Sequence, residues 1–266
     1  MAESITYLCI NLPQAEERRK SILAQAERLG VNIQLVEAVA GKDLPAEVPE
    51  YDRKRRKKLF TKDLSANEIA CTLSHKKALR TFLESEAEYA VIMEDDAVLS
   101  ENFNAGIREL VDHLHGWEAA KLFTEDNSIL YPLGAATADA RAAVAPVVSV
   151  FPKKISWVSV GWLYTRRGAE ALLEGLSSFY FPTDVEIAKV LCRKNIPTIG
   201  VTPSLITTSD PDSVNSTIVT AESPRGITTT ERRSLCQYIA YRLSVWETSS
   251  GKKRMCKMMR KLLIRC

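Results

Sequence analysis

Short apolar runs alternate with amphipathic stretches along the first third of the chain. Residues 5–10 form a continuous apolar run, which is typical of a strand buried in a parallel sheet, and Pro13 ends it because proline cannot continue a ladder. A helical period follows over residues 14–29, and Gly30 is suited to end that helix. Residues 33–39 are predicted to form a second strand. The apolar positions of the helix share one face: Ile22, Ala26 and Leu29.

A second helix and a third strand have the clearest local signals. Ser65 and Glu68 have the spacing of a capping box, which predicts a helix that starts there. Residues 89–93 form the most apolar run of the chain and are predicted to be a buried strand. Residues 43–64, between the two patterns, are polar and basic and are predicted to be a surface excursion. Strands that alternate with helices in this way predict βαβ units and a mostly parallel sheet.

The second half of the chain has weaker patterns. We predict strands over residues 155–164 and 198–201, and a helix over residues 166–176 with Ala169, Leu172 and Leu173 facing inward. A helical period returns over residues 231–247. We therefore predict one domain over residues 1–230, followed by a helical, basic amphipathic tail over residues 231–266.

Composition and charge narrow the class of protein. Hydrophobic residues make up 45% of the chain and charged residues 26%, as in ordinary globular proteins. No apolar run is long enough for a membrane-spanning helix, and the first residues lack the basic start of a signal peptide. Six scattered cysteines without a C-x-x-C pair favour thiols in a reducing cytoplasm.

The basic residues are concentrated in two segments. Residues 53–58 contain six of them and residues 252–265 contain seven, without an acidic residue in either segment. In the rest of the chain acidic residues outnumber basic ones, although the net charge of the whole is +3. This distribution excludes a uniformly basic nucleic-acid-binding protein, so we expect no nucleic-acid partner.

Three adjacent carboxylates follow the predicted strand at residues 89–93. Glu94, Asp95 and Asp96 stand at the carboxyl end of that strand, where open α/β sheets bind ligands. Hard oxygen ligands suit Mg²⁺ or Mn²⁺ that bridges the protein to phosphate oxygens. An acidic turn that caps the following backbone is the alternative interpretation.

Two further groups of residues are candidates for ligand binding. Arg18 and Arg19, in the first turns of the first helix, form a possible corner for a diphosphate, or else a solvated face. His75 lies within the capped helix, where it either takes part in ligand binding or catalysis or serves only the packing of the helix. The pair His113 and His115 is discounted as a metal site, because residues two apart on a helix face different sides.

These segments, taken in order, resemble glycosyltransferase family 25, the bacterial lipooligosaccharide galactosyltransferase type. The resemblance extends over about residues 5–218. It is carried by YLCINL at 7–12, ERR at 17–19, EAVAG at 37–41, LSANEIACTLSH at 64–75, IMEDD at 92–96, GWLYTRRGAEALL at 161–173, PTD at 182–184, PSLI at 203–206 and STI at 216–218.

The resemblance implies a GT-A-like fold, a UDP-hexose donor, a divalent metal (Mn²⁺ or Mg²⁺) and inversion at the anomeric carbon. It implies that Asp96 ligates the metal and that Glu94 and Asp95 belong to the donor site. It also implies that further residues line the nucleotide, diphosphate or transferred sugar: Asn11, Leu12, Arg18, Arg19, Ser74 and His75.

Inversion requires a general base for the acceptor hydroxyl. The resemblance implies Asp184 in that role, with Glu186 in reserve, whereas a carboxylate that only caps a helix is the alternative. The sequence departs from the family pattern in two places. Glu37 stands where aspartate is expected, and no histidine follows His115, so the remaining metal ligands must be carboxylates, water and diphosphate.

The basic tail completes the prediction. Residues 252–265 have apolar positions at helical spacing, which favours attachment to an anionic membrane surface over packing on the tail's own domain. The function predicted is transfer of a hexose to a lipooligosaccharide, lipopolysaccharide or other surface-glycan acceptor at the cytoplasmic face of the inner membrane, with galactose as the favoured hexose. Two alternatives are a Mg²⁺-dependent nucleotidyltransferase and a non-catalytic glycan- or membrane-binding module on the same fold.

Overall fold

The computed structural model describes residues 4–123, 147–150 and 158–209, the second range as backbone only. Within these ranges it contains nine strands and six α-helices. The strands are β1 (Ile5–Asn11), β2 (Ile33–Glu37), β3 (Tyr89–Glu94), β4 (Ala97–Leu99), β5 (Ala119–Lys121), β6 (Val147–Val150), β7 (Gly161–Thr165), β8 (Thr198–Thr202) and β9 (Ile206–Thr208). The helices are α1 (Glu16–Arg28), α2 (Arg53–Leu59), α3 (Ala66–Glu84), α4 (Phe103–His113), α5 (Arg166–Gly175) and α6 (Thr183–Arg193).

Seven of the strands form one mixed sheet in the order β2-β1-β3-β7-β5-β8-β6. β1, β2, β3, β5 and β8 point the same way, whereas β7 and β6 run antiparallel to their neighbours. The predicted α/β class, a mostly parallel sheet flanked by helices, is confirmed. The strand predicted over residues 155–164 forms as β7, which begins at Gly161 and is antiparallel.

The centre of the sheet explains where the candidate ligand site lies. β1 pairs with β3 in parallel register, Cys9 opposite Met93 and Ile10 opposite Glu94, and the inner residues of both strands are almost fully buried. Because the strands are parallel, Asn11 at the end of β1 lies beside the acidic residues that follow β3. The carboxyl edge of the sheet therefore collects the polar residues of both strands.

Helix α3 begins as the capping box predicts. The Ser65 hydroxyl accepts a hydrogen bond from the Glu68 amide, and the Glu68 carboxylate accepts one from the Ser65 amide at 2.8 Å. The helix packs across β1, β2 and β3. Its buried face includes Ala78, Leu79 and Phe82, which belong to the main hydrophobic core.

The basic segment at residues 53–58 is a helix, which corrects its prediction as a surface excursion. Asp52 caps α2 by accepting from the Arg55 amide at 2.8 Å. Leu59 and the neighbouring Phe60 are buried against Tyr180 in a small second core. Tertiary contacts of its apolar end therefore stabilise a helix whose sequence is mainly cationic.

A small two-stranded sheet lies next to the acidic residues. β4 begins immediately after Asp96 and pairs antiparallel with β9, Ala97 opposite Thr208. The backbone carbonyl of Asp96 accepts a hydrogen bond from the Ser209 amide at 2.9 Å. This pairing holds the turn after β3 in place.

Several predictions lie outside the described residues. They include the helix over residues 231–247, the basic tail and the matching segment at residues 216–218. The division into residues 1–230 and 231–266 therefore stays a prediction. Within the described residues no helix is both long enough and apolar enough to span a bilayer.

Candidate active site

A pocket opens at the carboxyl ends of β1 and β3, against α3 and the loop that follows β2. Its volume is about 270 Å³, which is close to the lower end of the size range of ligand-binding clefts. The lining residues are Ile10, Leu12, Gln14, Arg18, Ala38, Val39, Ala40, Gly41, Lys42, Asn67, Ala70, Cys71, Ser74, His75, Glu94 and Asp95. Arg18 and Lys42 bring positive charge to this pocket, and Glu94 and Asp95 bring negative charge.

Asp95 is held by side chains from the end of β1 and the start of α1. The Asn11 amide nitrogen donates to one carboxylate oxygen of Asp95 at 2.7 Å, and an Arg18 nitrogen donates to the other at 3.2 Å. The Asp95 side chain is 11% exposed, so this ion pair is partly shielded from water. Asn11 therefore acts by positioning Asp95, while Arg18 both pairs with Asp95 and lines the pocket.

Asp96 has a different environment from its neighbour. One carboxylate oxygen accepts a hydrogen bond from the Thr208 hydroxyl at 3.1 Å, but the other is buried and has no partner among the described residues. Burial, with the nearby Glu94 carboxylate second, raises the pKa of Asp96 to about 6. A buried carboxylate oxygen without a donor and with a raised pKa is suited to a cation.

Glu94 faces α3. Its carboxylate lies 3.2 Å from Nε2 of His75, a histidine that is 4% exposed. Cys71 is one helical turn before His75, and the ligand atoms of these three residues all lie within 4.8 Å of one another. Burial and then the Glu94 carboxylate raise the pKa of the Cys71 thiol.

The loop after β2 forms the opposite wall of the pocket. The Ser74 hydroxyl accepts from the Val39 amide at 2.9 Å and donates to the Ala70 carbonyl at 2.8 Å, so its role here is to attach this loop to α3. Gly41 lies against the first turn of α3. A Cβ at Gly41 would be 2.2 Å from the Asn67 side chain and 2.9 Å from the α3 backbone, so only glycine fits there.

The two late carboxylates have different surroundings. Asp184 is partly exposed in the first turn of α6, and its charge acts on the Cys71 thiol, so it lies near the pocket wall. The preceding Thr183 hydroxyl is 2.8 Å from that of Thr72 in α3, which ties the start of α6 to the pocket.

Glu186 is fully buried instead. One of its oxygens accepts from the amides of Tyr180 and Phe181 at 3.1 and 3.0 Å, and burial raises its pKa. The structure thus corrects its assignment as a reserve base, because Glu186 is used to hold the loop before α6.

The structure brings most of the predicted residues together at this pocket. Five predicted residues are absent from the pocket lining: Asn11, Arg19, Asp96, Asp184 and Glu186. Of these, Arg19 donates instead to the Pro13 carbonyl at an exposed position. Sequence reasoning missed Gln14, Lys42, Asn67 and Cys71 as lining residues. A signal existed for Cys71, since it is four residues before His75 and hence on the same helix face.

The fold and the site define an α/β protein with a polar ligand pocket at the carboxyl ends of its parallel strands. The family model described as glycosyltransferase family 25 (LPS biosynthesis protein) matches residues 4–187. Because this match extends over well more than half of the chain, the protein belongs to glycosyltransferase family 25. The predicted family is confirmed.

Curated relatives are similar over 62% of the chain. Human procollagen galactosyltransferase 2 is 24% identical over 177 residues, which is 62% of this chain and 26% of the human protein. Procollagen galactosyltransferase 1-B of Xenopus laevis is 29% identical over 172 residues, 62% of this chain and 27% of that protein. The chain thus spans about a quarter of the length of the curated relatives it matches.

A solved structure was also found by comparison of folds. It is a mutant of Drosophila beta-1,4-galactosyltransferase 7 in complex with manganese, UDP-Gal and xylobiose. The two structures have a TM-score of 0.38 and 9% sequence identity, with 89% of this chain and 79% of that chain covered. A likeness this low carries no argument about the ligands of this protein.

Proposed function

We propose that this protein is an inverting glycosyltransferase of GT-A-like fold. It moves a hexose, with galactose as the favoured one, from a UDP-sugar to a lipooligosaccharide or lipopolysaccharide acceptor. Family membership and the galactosyltransferase names of two relatives support the transfer and the sugar. The family's description supports the acceptor. The observation that carries the proposal is the pocket where Arg18, Lys42 and the acidic residues after β3 meet.

The pocket has the groups that a nucleotide diphosphate sugar needs. Leu12 and Val39 offer apolar surface to a base, and Gln14 offers hydrogen bonds. Arg18 and Lys42 supply the positive charge that a diphosphate requires. In this assignment Arg18 exchanges part of its pairing with Asp95 for the donor, so Asp95 keeps the guanidinium in place before the donor binds.

The carboxylates after β3 are suited to a divalent cation. Asp96 would hold Mn²⁺ or Mg²⁺ with its unpartnered buried oxygen, and Glu94 is the nearest second carboxylate. A bound ion would neutralise the charge that develops on the departing UDP. Hard cations prefer these oxygens to the thiol and imidazole of Cys71 and His75, which favour softer metals.

Asp184 is assigned as the general base. The acceptor oxygen attacks the anomeric carbon from the face opposite to UDP, its proton passes to the Asp184 carboxylate, and the bonding electron pair leaves with the diphosphate. The partial exposure of Asp184 at the start of α6 supports this role, because a base must be reached by the acceptor. Glu186 is unsuited to it, because it is buried and already accepts two backbone hydrogen bonds.

A thermal-shift panel tests the donor assignment. UDP-galactose, UDP-glucose, GDP-mannose and UDP are compared with Mn²⁺ and with a chelator, because a ligand that binds the native state raises its melting temperature. We expect a UDP-hexose to stabilise the protein only when the metal is present. Arg18→Gln should lose this shift, whereas Lys20→Gln, on the exposed side of α1, should keep it. A flat panel with folded protein would instead favour a non-catalytic module.

The reaction itself is tested by product analysis. Transfer from UDP-galactose to a deacylated lipopolysaccharide core is monitored by measuring the UDP released. NMR of the product determines its anomeric configuration. A β-linked product from the α-linked donor is expected for inversion. Release of pyrophosphate from a nucleoside triphosphate and a sugar phosphate would instead identify a nucleotidyltransferase.

The cellular location is part of the same proposal. A basic tail at residues 252–265 would hold the enzyme at the cytoplasmic face of a membrane that presents a glycolipid acceptor. Liposome sedimentation compares the membrane binding of the full chain with that of a chain that ends at Ser250. Equal sedimentation with anionic vesicles would rule out the tail as the anchor.

A further inference from the structure

Helix α2 presents an unusual concentration of positive charge. Six of its seven residues are cationic. Arg56 is the buried member: its Nε donates to the Lys62 carbonyl at 2.8 Å, and its guanidinium lies 3.9 Å from the centre of the Phe60 ring. The other five cationic side chains are exposed, and we call them the basic face of α2: Arg53, Lys54, Arg55, Lys57 and Lys58.

Two carboxylates next to α2 interact with part of this charge. The nearby carboxylates are Asp52, which caps the helix, and Asp63, which pairs with Arg53 at 3.0 Å. Like charges three and four residues apart on a helix destabilise it. The fold itself uses Arg56 and Leu59 for packing, so the core does not explain why five exposed cations are kept together.

The basic face is attached to the segment that carries the proposed base. The backbone just before α2 hydrogen-bonds to Phe179, with Asp52 donating to its carbonyl at 2.8 Å and Glu50 accepting from its amide at 2.9 Å. The Arg55 guanidinium lies 4.5 Å from the centre of the Tyr180 ring. Asp184, the proposed base, follows Tyr180 by four residues and stands in the first turn of α6.

A further cation extends the face toward α6. The Lys189 ammonium lies 4.3 Å from the centre of the Phe181 ring, and Phe181 packs edge-on against Phe60. Positive charge therefore lines both sides of the loop at residues 179–182. A helix of seven residues is only about 10 Å long, which suits one or two phosphate groups better than an extended polyanion or a flat membrane.

We propose that the basic face of α2 binds phosphate groups carried by the acceptor glycan, so that the acceptor is a phosphorylated oligosaccharide and not a neutral one. This inference rests on the proposed function, since it places the acceptor beside Asp184. Phosphate monoesters carry up to two negative charges and several acceptor oxygens, which a cluster of lysine and arginine side chains recognises. Outside α2 and the basic segment at residues 252–265 acidic residues outnumber basic ones, so α2 is the concentrated positive charge next to the proposed base.

The test compares binding of one glycan with and without its phosphates. The probe is a fluorescently labelled, deacylated lipopolysaccharide core, used before and after removal of phosphate by hydrofluoric acid. Anisotropy is measured without a donor at low and high salt. We expect the phosphorylated form to bind about tenfold more tightly, with the difference reduced by salt.

Two charge-reversal variants make the test specific. K54E/K58E changes two exposed lysines that take no part in the packing contacts of α2, and it should abolish the preference for the phosphorylated glycan. K20E/R167E changes the net charge by the same amount at positions whose side chains are 69% and 85% exposed and lie outside α2, and it should keep the preference. If K54E/K58E has a lower melting temperature than the unmodified protein, K54Q/K58Q is used in its place.

The outcomes separate this inference from the proposed function. Equal binding of both glycan forms by the unmodified protein, or equal losses in both variants, would overturn the inference. A third outcome would also overturn the inference and would identify α2 as a membrane contact. In that outcome the protein binds phosphatidylglycerol vesicles, K54E/K58E abolishes this binding, and the two glycan forms bind equally. Phosphate-dependent glycan binding without sugar transfer from any donor would contradict the proposed function and leave the binding role of α2 in place.

Discussion

Replacement of Asp96 by asparagine should stabilise the metal-free protein at neutral pH. Asp96 is buried beside Glu94, and one of its oxygens lacks a partner among the described residues. Asparagine has nearly the same shape and keeps a carbonyl oxygen that accepts the Thr208 hydroxyl hydrogen. The substitution therefore removes the charge and leaves the local packing in place.

The magnitude follows from the pKa of Asp96. Folding raises it from its ordinary 3.8 to about 6, and two pKa units correspond to about 3 kcal/mol. Because the folded state binds the proton more tightly than the unfolded state, the stability contribution is present below about pH 4 and is lost as pH rises through 6. At pH 7 the D96N variant should be more stable by up to about 3 kcal/mol, which is a melting temperature several degrees higher.

Calorimetry from pH 4 to pH 7.5 with a chelator measures this difference. The gap between D96N and the unmodified protein should be near zero at pH 4 and should open by pH 7. D95N is the matched control, and it should be destabilising because Asp95 loses its ion pair with Arg18. A gap of the same size at every pH, or a D96N variant that is less stable at pH 7, would refute the electrostatic argument. Mn²⁺ should raise the melting temperature of the unmodified protein and not that of D96N.

Three further substitutions test other parts of the site. D184N should lower kcat about 10²- to 10⁴-fold with little change in the KM for the donor, which steady-state kinetics measures. E186A should mainly destabilise the protein, by about 1–3 kcal/mol, because two backbone amides lose their acceptor, and thermal melts measure this loss. The reverse pattern would exchange the roles of the two residues. G41A should weaken donor binding about tenfold or more in a ligand thermal shift, because its Cβ would meet Asn67 and the α3 backbone; unchanged binding would show that the loop yields freely. S65A should cost about 1 kcal/mol in denaturant unfolding through loss of the capping box, and a neutral result would mean that water replaces the hydroxyl.

The local elements of the first half were predictable because their signals are local. The apolar runs of β1 and β3 need no distant partner to be recognised, and the capping box at Ser65 involves only residues three apart. Gly30 ends α1 with a positive φ of 63°, as its position after the amphipathic stretch indicates. The acidic residues after β3 were predicted as a candidate site for the same reason, since they directly follow a strand whose apolar run indicates burial.

The elements that were missed or misjudged depend on distant contacts. α2 was predicted as a surface excursion because its stability comes from Tyr180 and Phe181, more than a hundred positions away. β7 was predicted as a strand without a direction, and it lies antiparallel between β3 and β5, because its sequence carries no signal of direction. Strand direction is decided by the path of the connecting chain and by sheet pairing, neither of which a local pattern contains.

The roles within the site divide in the same way. By itself the sequence determined the family, the carboxylates and the place of the pocket at the end of the strands. Only the tertiary structure decided that Asp95 pairs with Arg18 and accepts from Asn11, whereas one buried oxygen of Asp96 lacks a partner among the described residues, and that Glu186 anchors a loop. Adjacent carboxylates look alike in a sequence, but their charge is balanced by side chains from other elements, and only folding brings those side chains close enough to act.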